Sequence, residues 1–246
     1  MKLTRSPIIA RLLGCAVLPA ALAAGPVSGV TAPITHGPLL IHTLNSASGN
    51  WSGYASTKGP FTTVSASWKQ PAVKCTNQTT YSSFWVGIDG DGSNTVEQTG
   101  TEADCVSGKP VYSAWHEFYP AAPKNFNVTV RPGDALHGSV TEATGGVYTL
   151  TLTDTTQHWI ARARATVKSA KRHSAEIIAE APSSLSGVLP LADFGKVSFT
   201  SAKANGSLIG NLSPDKITME TSGGVVKAQP SALTSHENFS VTWHHV

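Results

Sequence analysis

Apolar and polar residues alternate over short runs through most of the chain after residue 50. Alternation with a period of two places successive side chains on opposite faces of a β-strand. Turn sequences rich in Gly, Pro, Asn and Asp separate these runs, which is typical of an antiparallel β-sandwich. The predicted strands are 63–73, 127–131, 135–141, 147–153, 159–167, 197–201 and 240–244, and the turns are 131–134, 144–146, 205–206 and 222–224. We find no repeat and no internal boundary, so residues 50–246 are expected to form one all-β domain.

Residues 174–182 fit two kinds of secondary structure. Their alanines and glutamates favour a helix. Their alternation instead predicts a half-buried strand. The two faces of that strand would carry Ala175, Ile177 and Ala179, and Glu176, Ile178 and Glu180. Pattern alone leaves both interpretations open.

Two runs, 84–90 and 112–120, combine aromatic residues with carboxylates in a chain that has only 13% charged residues. On strands, alternate side chains would share a face. The two shared faces would be Trp85, Gly87 and Asp89, and Trp115, Glu117 and Tyr119. A face of this mixed composition suits the floor of a binding cleft better than a hydrophobic core.

The N-terminal residues predict export and processing. Residues 1–24 place basic residues before an apolar run and end in small residues, the pattern of a secretory signal peptide. Residues 25–48 contain no Asp, Glu, Lys or Arg and are expected to be a linker or short pro-segment. The folded domain is therefore expected at 49–246, in a secreted, extracellular protein.

Charge and cysteine content narrow the possible functions. Without residues 1–24 the chain has 15 basic and 15 acidic residues and no basic cluster, which argues against nucleic-acid or membrane partners. Cys75 and Cys105 are the two cysteines after the signal, and in a secreted chain they are expected to form a disulfide. That pairing leaves no free thiol for catalysis.

The usual catalytic motifs are missing from the sequence. There is no Gly-x-Ser-x-Gly elbow, no phosphate-binding glycine loop and no histidine set with metal-ligand spacing, so we expect neither a metal nor a cofactor. Carboxylates remain. Glu117 and Glu176 lie in apolar surroundings, where an acid either pairs with a donor or has a raised pKa. Taken singly, each of them is more simply a salt-bridged or edge-exposed residue.

Several motifs in order resemble the glutamic peptidases of family G1, the eqolisins. They are the runs 50–53, 85–90, 98–100, 112–120, 175–180 and 190–195. The resemblance covers about residues 49–246. It implies a lectin-like sandwich of two curved antiparallel sheets, in which residues 174–181 form a strand.

Carried over by position, the resemblance makes Gln98 and Glu176 a catalytic dyad. In that dyad Glu176 activates a water and Gln98 stabilises the developing oxyanion. Six further residues would line or support the cleft: Trp51, Trp85, Asp89, Glu102, Glu117 and Tyr119. Asp89 and Glu102 would orient Gln98 or the water. Glu102 departs from the family pattern, which has Asp at that position.

The implied function is a secreted, acid-acting endopeptidase with protein or peptide substrates, and we expect a monomer. The alternatives are a carbohydrate-binding, lectin-like module on the same fold and an inactive peptidase homologue. The pro-segment lacks the basic residues that charge-based inhibition would need. Its histidines, His36 and His42, are candidates for a pH trigger.

Overall fold

The computed structural model describes residues 34–36 and 46–245. All of them belong to one compact unit, residues 32–246. The predicted signal peptide, most of segment 25–48 and His42 lie outside the described residues. Within the described part of the chain, no helix is long and apolar enough to span a membrane.

Nearly all regular structure in the described residues is β-strand, as the alternation predicts. One short 3₁₀ helix spans Ile209–Leu212. The strands in chain order are β1 Ala47–Ser48, β2 Trp51–Ser56, β3 Thr63–Lys69, β4 Ser83–Ile88, β5 Val96–Val106, β6 Lys109–Tyr119, β7 Lys124–Asn125, β8 Ala135–Ala143, β9 Val147–Asp154, β10 Trp159–Thr166, β11 Ala175–Glu180, β12 Ser183–Ser184, β13 Gly187–Val188, β14 Lys196–Ala204, β15 Ser207–Leu208, β16 Asp215–Glu220, β17 Val226–Pro230 and β18 Phe239–Trp243.

Two antiparallel sheets form the sandwich. We call the first the site sheet, with the order β16-β2-β11-β4-β5-β6-β7, and the second the back sheet, with the order β10-β9-β8-β3-β14-β18-β17-β16. Strand β16 belongs to both sheets. Its register with β17 shifts between Met219 and Glu220, where the chain passes from one sheet to the other. The all-β sandwich predicted from the sequence is confirmed.

The hydrophobic core lies between the sheets. Strand β4 contributes Phe84, Val86 and Ile88, and β9 contributes Leu150 and Leu152, all of them fully buried. Alternation then turns the other residues of the site sheet away from the core. These outward residues include the candidate catalytic groups.

The predicted disulfide is present. Cys75 and Cys105 are joined, and their loop encloses β4 and most of β5. The bridge therefore links the start of the loop to the far end of the strand that carries Gln98.

One predicted strand is wrong. Residues 127–131 alternate in polarity, and Val130 is buried accordingly, but they form a loop between β7 and β8. Their backbone hydrogen bonds run to nearby loop residues and side chains, for example from the Val128 N–H to the Phe126 carbonyl, from the Trp159 indole to the Thr129 carbonyl, and from the Arg131 N–H to the Asp134 carboxylate. Alternation reports which residues are buried, whereas a strand also needs a neighbouring strand to pair with.

Strand β11 confirms the strand interpretation of residues 174–181 but not the half-buried exposure. All six of its residues are buried. The reason is a second apolar cluster on the outward face of the site sheet. Its members are Trp51, Ala55, Trp85, Trp115, Ile178 and Ile217.

Candidate active site

Strand register brings the predicted dyad together. Glu176 on β11 pairs with Gly87 on β4, Gly87 pairs with Gln98 on β5, and Gln98 pairs with Glu117 on β6. These four residues form one row across the outward face of the site sheet. Adjacent strands lie about 4.8 Å apart, so the Cα atoms of Glu176 and Gln98 are about 10 Å apart. The two side chains point to the same face.

Gly87 lies between the dyad residues and is closely packed. A Cβ atom added at this position would lie 3.2 Å from the Gln98 Cβ and 2.9 Å from the Trp85 Cζ3. The absence of a side chain lets the Trp85 ring and Gln98 approach the backbone between the carboxylate and the carboxamide. A side chain at position 87 would push these groups from their positions.

The Gln98 carboxamide has a defined orientation. Its Nε2 donates a hydrogen bond to the Glu117 Oε2 at 2.8 Å. The same nitrogen also donates to the main-chain carbonyl of His36. A carboxamide nitrogen carries two hydrogens. One is therefore fixed by Glu117 and the other is directed at a peptide carbonyl.

Glu117 lies almost fully buried behind Gln98, with 1% of its surface exposed. Burial, and to a lesser extent the charge of the nearby Glu180, raise the pKa of Glu117 to about 8. The charge of His36 and the hydrogen bond from Gln98 oppose this shift without reversing it. Glu117 is therefore protonated in acid, when one of its oxygens can still accept the Gln98 bond.

Glu176 is fully buried at the other end of the row. Its Oε1 accepts a hydrogen bond from the Asp91 N–H at 3.3 Å, and its Oε2 has no partner among the described residues. Burial raises the pKa of Glu176 well above its usual value, and the charges of Asp91 and Asp89 add to this rise. The Ser174 hydroxyl opposes the shift by hydrogen bonding to the carboxylate. One oxygen of a strongly basic carboxylate thus remains available to a water.

Asp89 supports the strand that carries Glu176. Its carboxylate accepts three backbone N–H bonds, from Lys171 at 2.8 Å and from Arg172 and His173 at 2.7 Å each. These residues immediately precede β11. Asp89 thus holds the backbone segment that leads into β11 and Glu176. The Gln98 side chain is contacted by Glu117 instead.

Two further rows on the outward face of the site sheet complete the cleft. The second row is Ile178, Trp85, Gly100 and Trp115, and the third is Glu180, Ser83, Glu102 and Ser113. The Trp51 and Trp85 rings meet edge to face at 5.1 Å in the apolar cluster. Tyr119 is half-buried at the end of β6, opposite Val96.

Two residues that sequence reasoning did not assign to the site lie within it. Glu180 is fully buried and accepts hydrogen bonds from the Trp85 indole at 2.7 Å and the Asn50 amide at 3.2 Å. The alternation that placed Glu176 on the outward face also placed Glu180 there, so the signal was present. His36 is the second residue, and it was considered only as a pH trigger.

His36 fills the space between the second and third rows. Its ring stacks on Trp115 with a centroid distance of 3.9 Å and an interplanar angle of 13°. The Nε2 atom lies 3.2 Å from the Glu102 Oε1, and the Nδ1 atom lies 3.7 Å from the Glu180 Oε2. Burial alone would lower the pKa of His36, but these two carboxylates raise it to about 10. The imidazole is therefore an imidazolium when it is held here.

The same pairing shifts the pKa of Glu102 in the opposite direction from that of His36. Burial alone would raise the pKa of Glu102, but the hydrogen bond and charge of His36, with the Ser113 hydroxyl, lower it overall. For Glu180, burial is the stronger influence, and the pKa is raised in spite of His36 and Trp85. Glu102 is thus the carboxylate that stays ionised beside His36.

The sequence is similar to known peptidases along most of its length. The family model of the Peptidase A4 family matches residues 49–243. Aspergillopepsin-2 of Aspergillus niger is 30% identical over 208 residues, which are 73% of this chain and 73% of that protein.

Solved structures show the same fold. Scytalido-glutamic peptidase with a transition state analog inhibitor superposes with a TM-score of 0.70 at 25% identity, covering 80% of this chain and 98% of that chain. Aspergilloglutamic peptidase from Aspergillus niger superposes with a TM-score of 0.60 at 28% identity, covering 67% and 99%.

Proposed function

Because the chain belongs to the Peptidase A4 family and is a glutamic endopeptidase, we propose that Gln98 and Glu176 are its catalytic dyad and that it acts in acid as a secreted enzyme. The single observation that carries the dyad is the row Glu176–Gly87–Gln98–Glu117. It sets a carboxylate with a raised pKa and a fixed amide donor on the same face, on either side of a glycine. A lectin would need no such division between a base and a donor.

The proposed reaction uses a water held between the two side chains. Glu176, as the carboxylate, removes a proton from this water while the water oxygen attacks the scissile carbonyl carbon. The carbonyl oxygen becomes negative and accepts the Gln98 N–H that is directed at the His36 carbonyl in this structure, once the substrate has replaced residues 34–36. Glu176 then passes the proton to the leaving nitrogen, the C–N bond breaks, and an acid and an amine are released. Loss of one such oxyanion donor typically costs about 100- to 1,000-fold in rate.

Acid action is supported by the protonation behaviour of the site. Gln98 does not titrate. Glu117 is protonated and neutral throughout the acid range because its pKa is raised to about 8. Glu176 sets the lower pH limit of activity, because it must be a carboxylate to act as the base. Its raised pKa means that the carboxylate form is lost as the pH falls through a value above 4.5. We therefore place the optimum in weak rather than strong acid.

The test is hydrolysis of an unfolded protein by the purified full chain from pH 2 to 7, in the presence of EDTA, a thiol blocker and pepstatin. The proposal predicts cleavage with all three present. It also predicts a loss of at least about 100-fold in Gln98→Ala and Glu176→Gln. Glu237→Gln, at a half-buried glutamate in the connection between β17 and β18 of the back sheet, is the matched control and should cleave normally. Full activity in Glu176→Gln would exclude this residue as the base.

A further inference from the structure

Residues 34–36 occupy the cleft in the way that a peptide substrate would. Thr35 pairs with Ser183 as in an antiparallel ladder, through two main-chain hydrogen bonds of 2.8 and 2.9 Å. The next carbonyl along the chain, that of His36, accepts the hydrogen bond from Gln98. Extended peptides are often recognised by main-chain pairing together with pockets for alternate side chains.

The contact with Gln98 fixes which substrate residue His36 imitates. Under the proposed mechanism, Gln98 holds the carbonyl of the bond that is cut. The residue that owns this carbonyl is the one on the acyl side of that bond. The His36 side chain therefore lies where the side chain of that substrate residue would lie.

The pocket around this side chain suits a planar, positively charged group. One wall is the indole of Trp115, which stacks on the ring. Glu102 on β5 and Glu180 on β11, the strands on either side of β4, face the two ring nitrogens. Only 13% of the Glu102 side chain is exposed and none of Glu180.

We propose that Trp115, Glu102 and Glu180 form the specificity pocket for the acyl-side residue of the substrate, and that this pocket selects histidine. The inference rests on the proposed function, because the acyl side is defined by the role of Gln98. A protonated imidazole pairs with Glu102 through its Nε2–H, brings its positive charge within 3.7 Å of Glu180, and presents a planar face to the indole. Phenylalanine offers the plane without the charge, and lysine offers the charge without the plane.

The energetic reason for selection is the cost of leaving the ionised, largely buried carboxylate of Glu102 unpaired. A buried charge without a partner is expensive, and hydrogen bonds to charged groups are stronger than neutral ones. We therefore expect histidine to be favoured over leucine by about 10- to 100-fold in kcat/KM. Glutamate and aspartate at this substrate position should be rejected.

The experiment maps cleavage sites by mass spectrometry in a mixture of unfolded proteins digested by the full chain at pH 5. Wild type should show histidine strongly enriched before the cut. The double variant Glu102→Gln/Glu180→Gln should lose that enrichment, scored as the ratio of cuts after histidine to cuts after leucine, so that a change in overall rate cancels. Circular dichroism checks that the variant is folded. If the variant cuts too slowly to be scored, equal binding of a histidine and a leucine peptide to it supports the pocket, and tighter binding of the histidine peptide overturns it. Glu237→Gln serves as the matched control and should keep the histidine preference.

The outcomes separate this inference from the proposed function. Cleavage without histidine enrichment would overturn the pocket assignment and leave the peptidase mechanism intact. If no protein is cut at all, the proposed function fails, and peptide binding decides the pocket. In that case two peptides that differ only in histidine or leucine are titrated into the His36→Ala variant, which vacates the pocket. Tighter binding of the histidine peptide would support the pocket, and equal binding would overturn it.

Discussion

Gly87 lies between Glu176 and Gln98 in the row that crosses the site sheet, and its missing side chain is a requirement of the proposed chemistry. We predict that Gly87→Ala lowers kcat by at least about 10-fold, because the new methyl group would meet the Gln98 Cβ at 3.2 Å and the Trp85 ring at 2.9 Å. Steady-state kinetics on an unfolded protein would measure this. Gly223→Ala, at a turn glycine without a positive φ whose nearest neighbour would be the Thr221 Oγ1 at 3.8 Å, is the control for a general effect of glycine replacement. Unchanged kcat in Gly87→Ala would mean that the reacting atoms lie elsewhere.

Glu117 acts through Gln98, as a positioning residue. We predict that Glu117→Leu lowers kcat by about 10-fold or more with little change in KM, because Gln98 would lose the acceptor that holds its Nε2. Glu117→Gln keeps an acceptor oxygen and should retain most of the activity. Separate determination of kcat and KM for the two variants tests the idea. Equal impairment in both would show that the charge at position 117 matters rather than the hydrogen-bond acceptor.

At the scale of the strand, Asp89 ties the end of β4 to the segment that enters β11. It has a φ of +65°, a conformation that Asp and Asn tolerate better than Ala. We predict that Asp89→Ala costs about 3 kcal/mol of unfolding free energy, because three backbone N–H groups lose their acceptor. That cost corresponds to a fall of about 10 °C in Tm.

Thermal unfolding followed by circular dichroism measures the Asp89 effect. Asp89→Asn is the conservative control, since it keeps one acceptor oxygen and the tolerated backbone conformation, and it should lose less than half as much stability. A Tm unchanged in Asp89→Ala would contradict the structural role of this carboxylate. Catalysis at Glu176 should weaken in parallel, because the same segment leads into β11.

The strand patterns show how far the sequence alone can predict this site. Alternation correctly placed Trp115, Glu117 and Tyr119 in one group and Glu176 with Glu180 in another. It could not predict that β11 inserts between β2 and β4, because strand order depends on long-range packing rather than on local pattern. The resemblance supplied the pairing of residues 98 and 176, which are separated by 78 positions. Likewise, nothing in the local pattern of residues 34–36 signalled their place in the cleft.

At the scale of the whole molecule, an N-terminal segment fills a cleft of the domain that follows it. The groups that face His36 are Glu102 and Asp104 on β5, Glu117 on β6 and Glu180 on β11. This buried site has no basic residue of its own to balance the acids. A histidine from the N-terminal segment can therefore stabilise it when protonated, although segment 25–48 contains no Lys or Arg.

The pH dependence of this contact can be derived from the direction of each shift. The pKa of His36 rises from 6.5 to about 10 on binding, so its contribution is complete below 6.5 and is lost as the pH rises through about 10. The pKa of Glu102 is lowered from 4.5, so its contribution is present above 4.5 and is lost as the pH falls through the lowered value. Glu180 and Glu117 have raised pKa values and are neutralised earlier as the pH falls. The segment is therefore held most firmly between about 4.5 and 6.5.

We predict that His36→Ala increases kcat/KM on protein substrates, because the segment no longer competes for the cleft. The ratio of variant to wild-type activity should be greatest, on the order of 10-fold, between about pH 4.5 and 6.5. It should shrink in stronger acid, where Glu102 becomes protonated and releases the wild-type segment as well. The measurement is the pH profile of initial rates for wild type, His36→Ala and the exposed-histidine control His244→Ala. A ratio of one at every pH would show that residues 34–36 do not obstruct the cleft in solution. A ratio that stays high and flat into strong acid would show that Glu102 does not control their release.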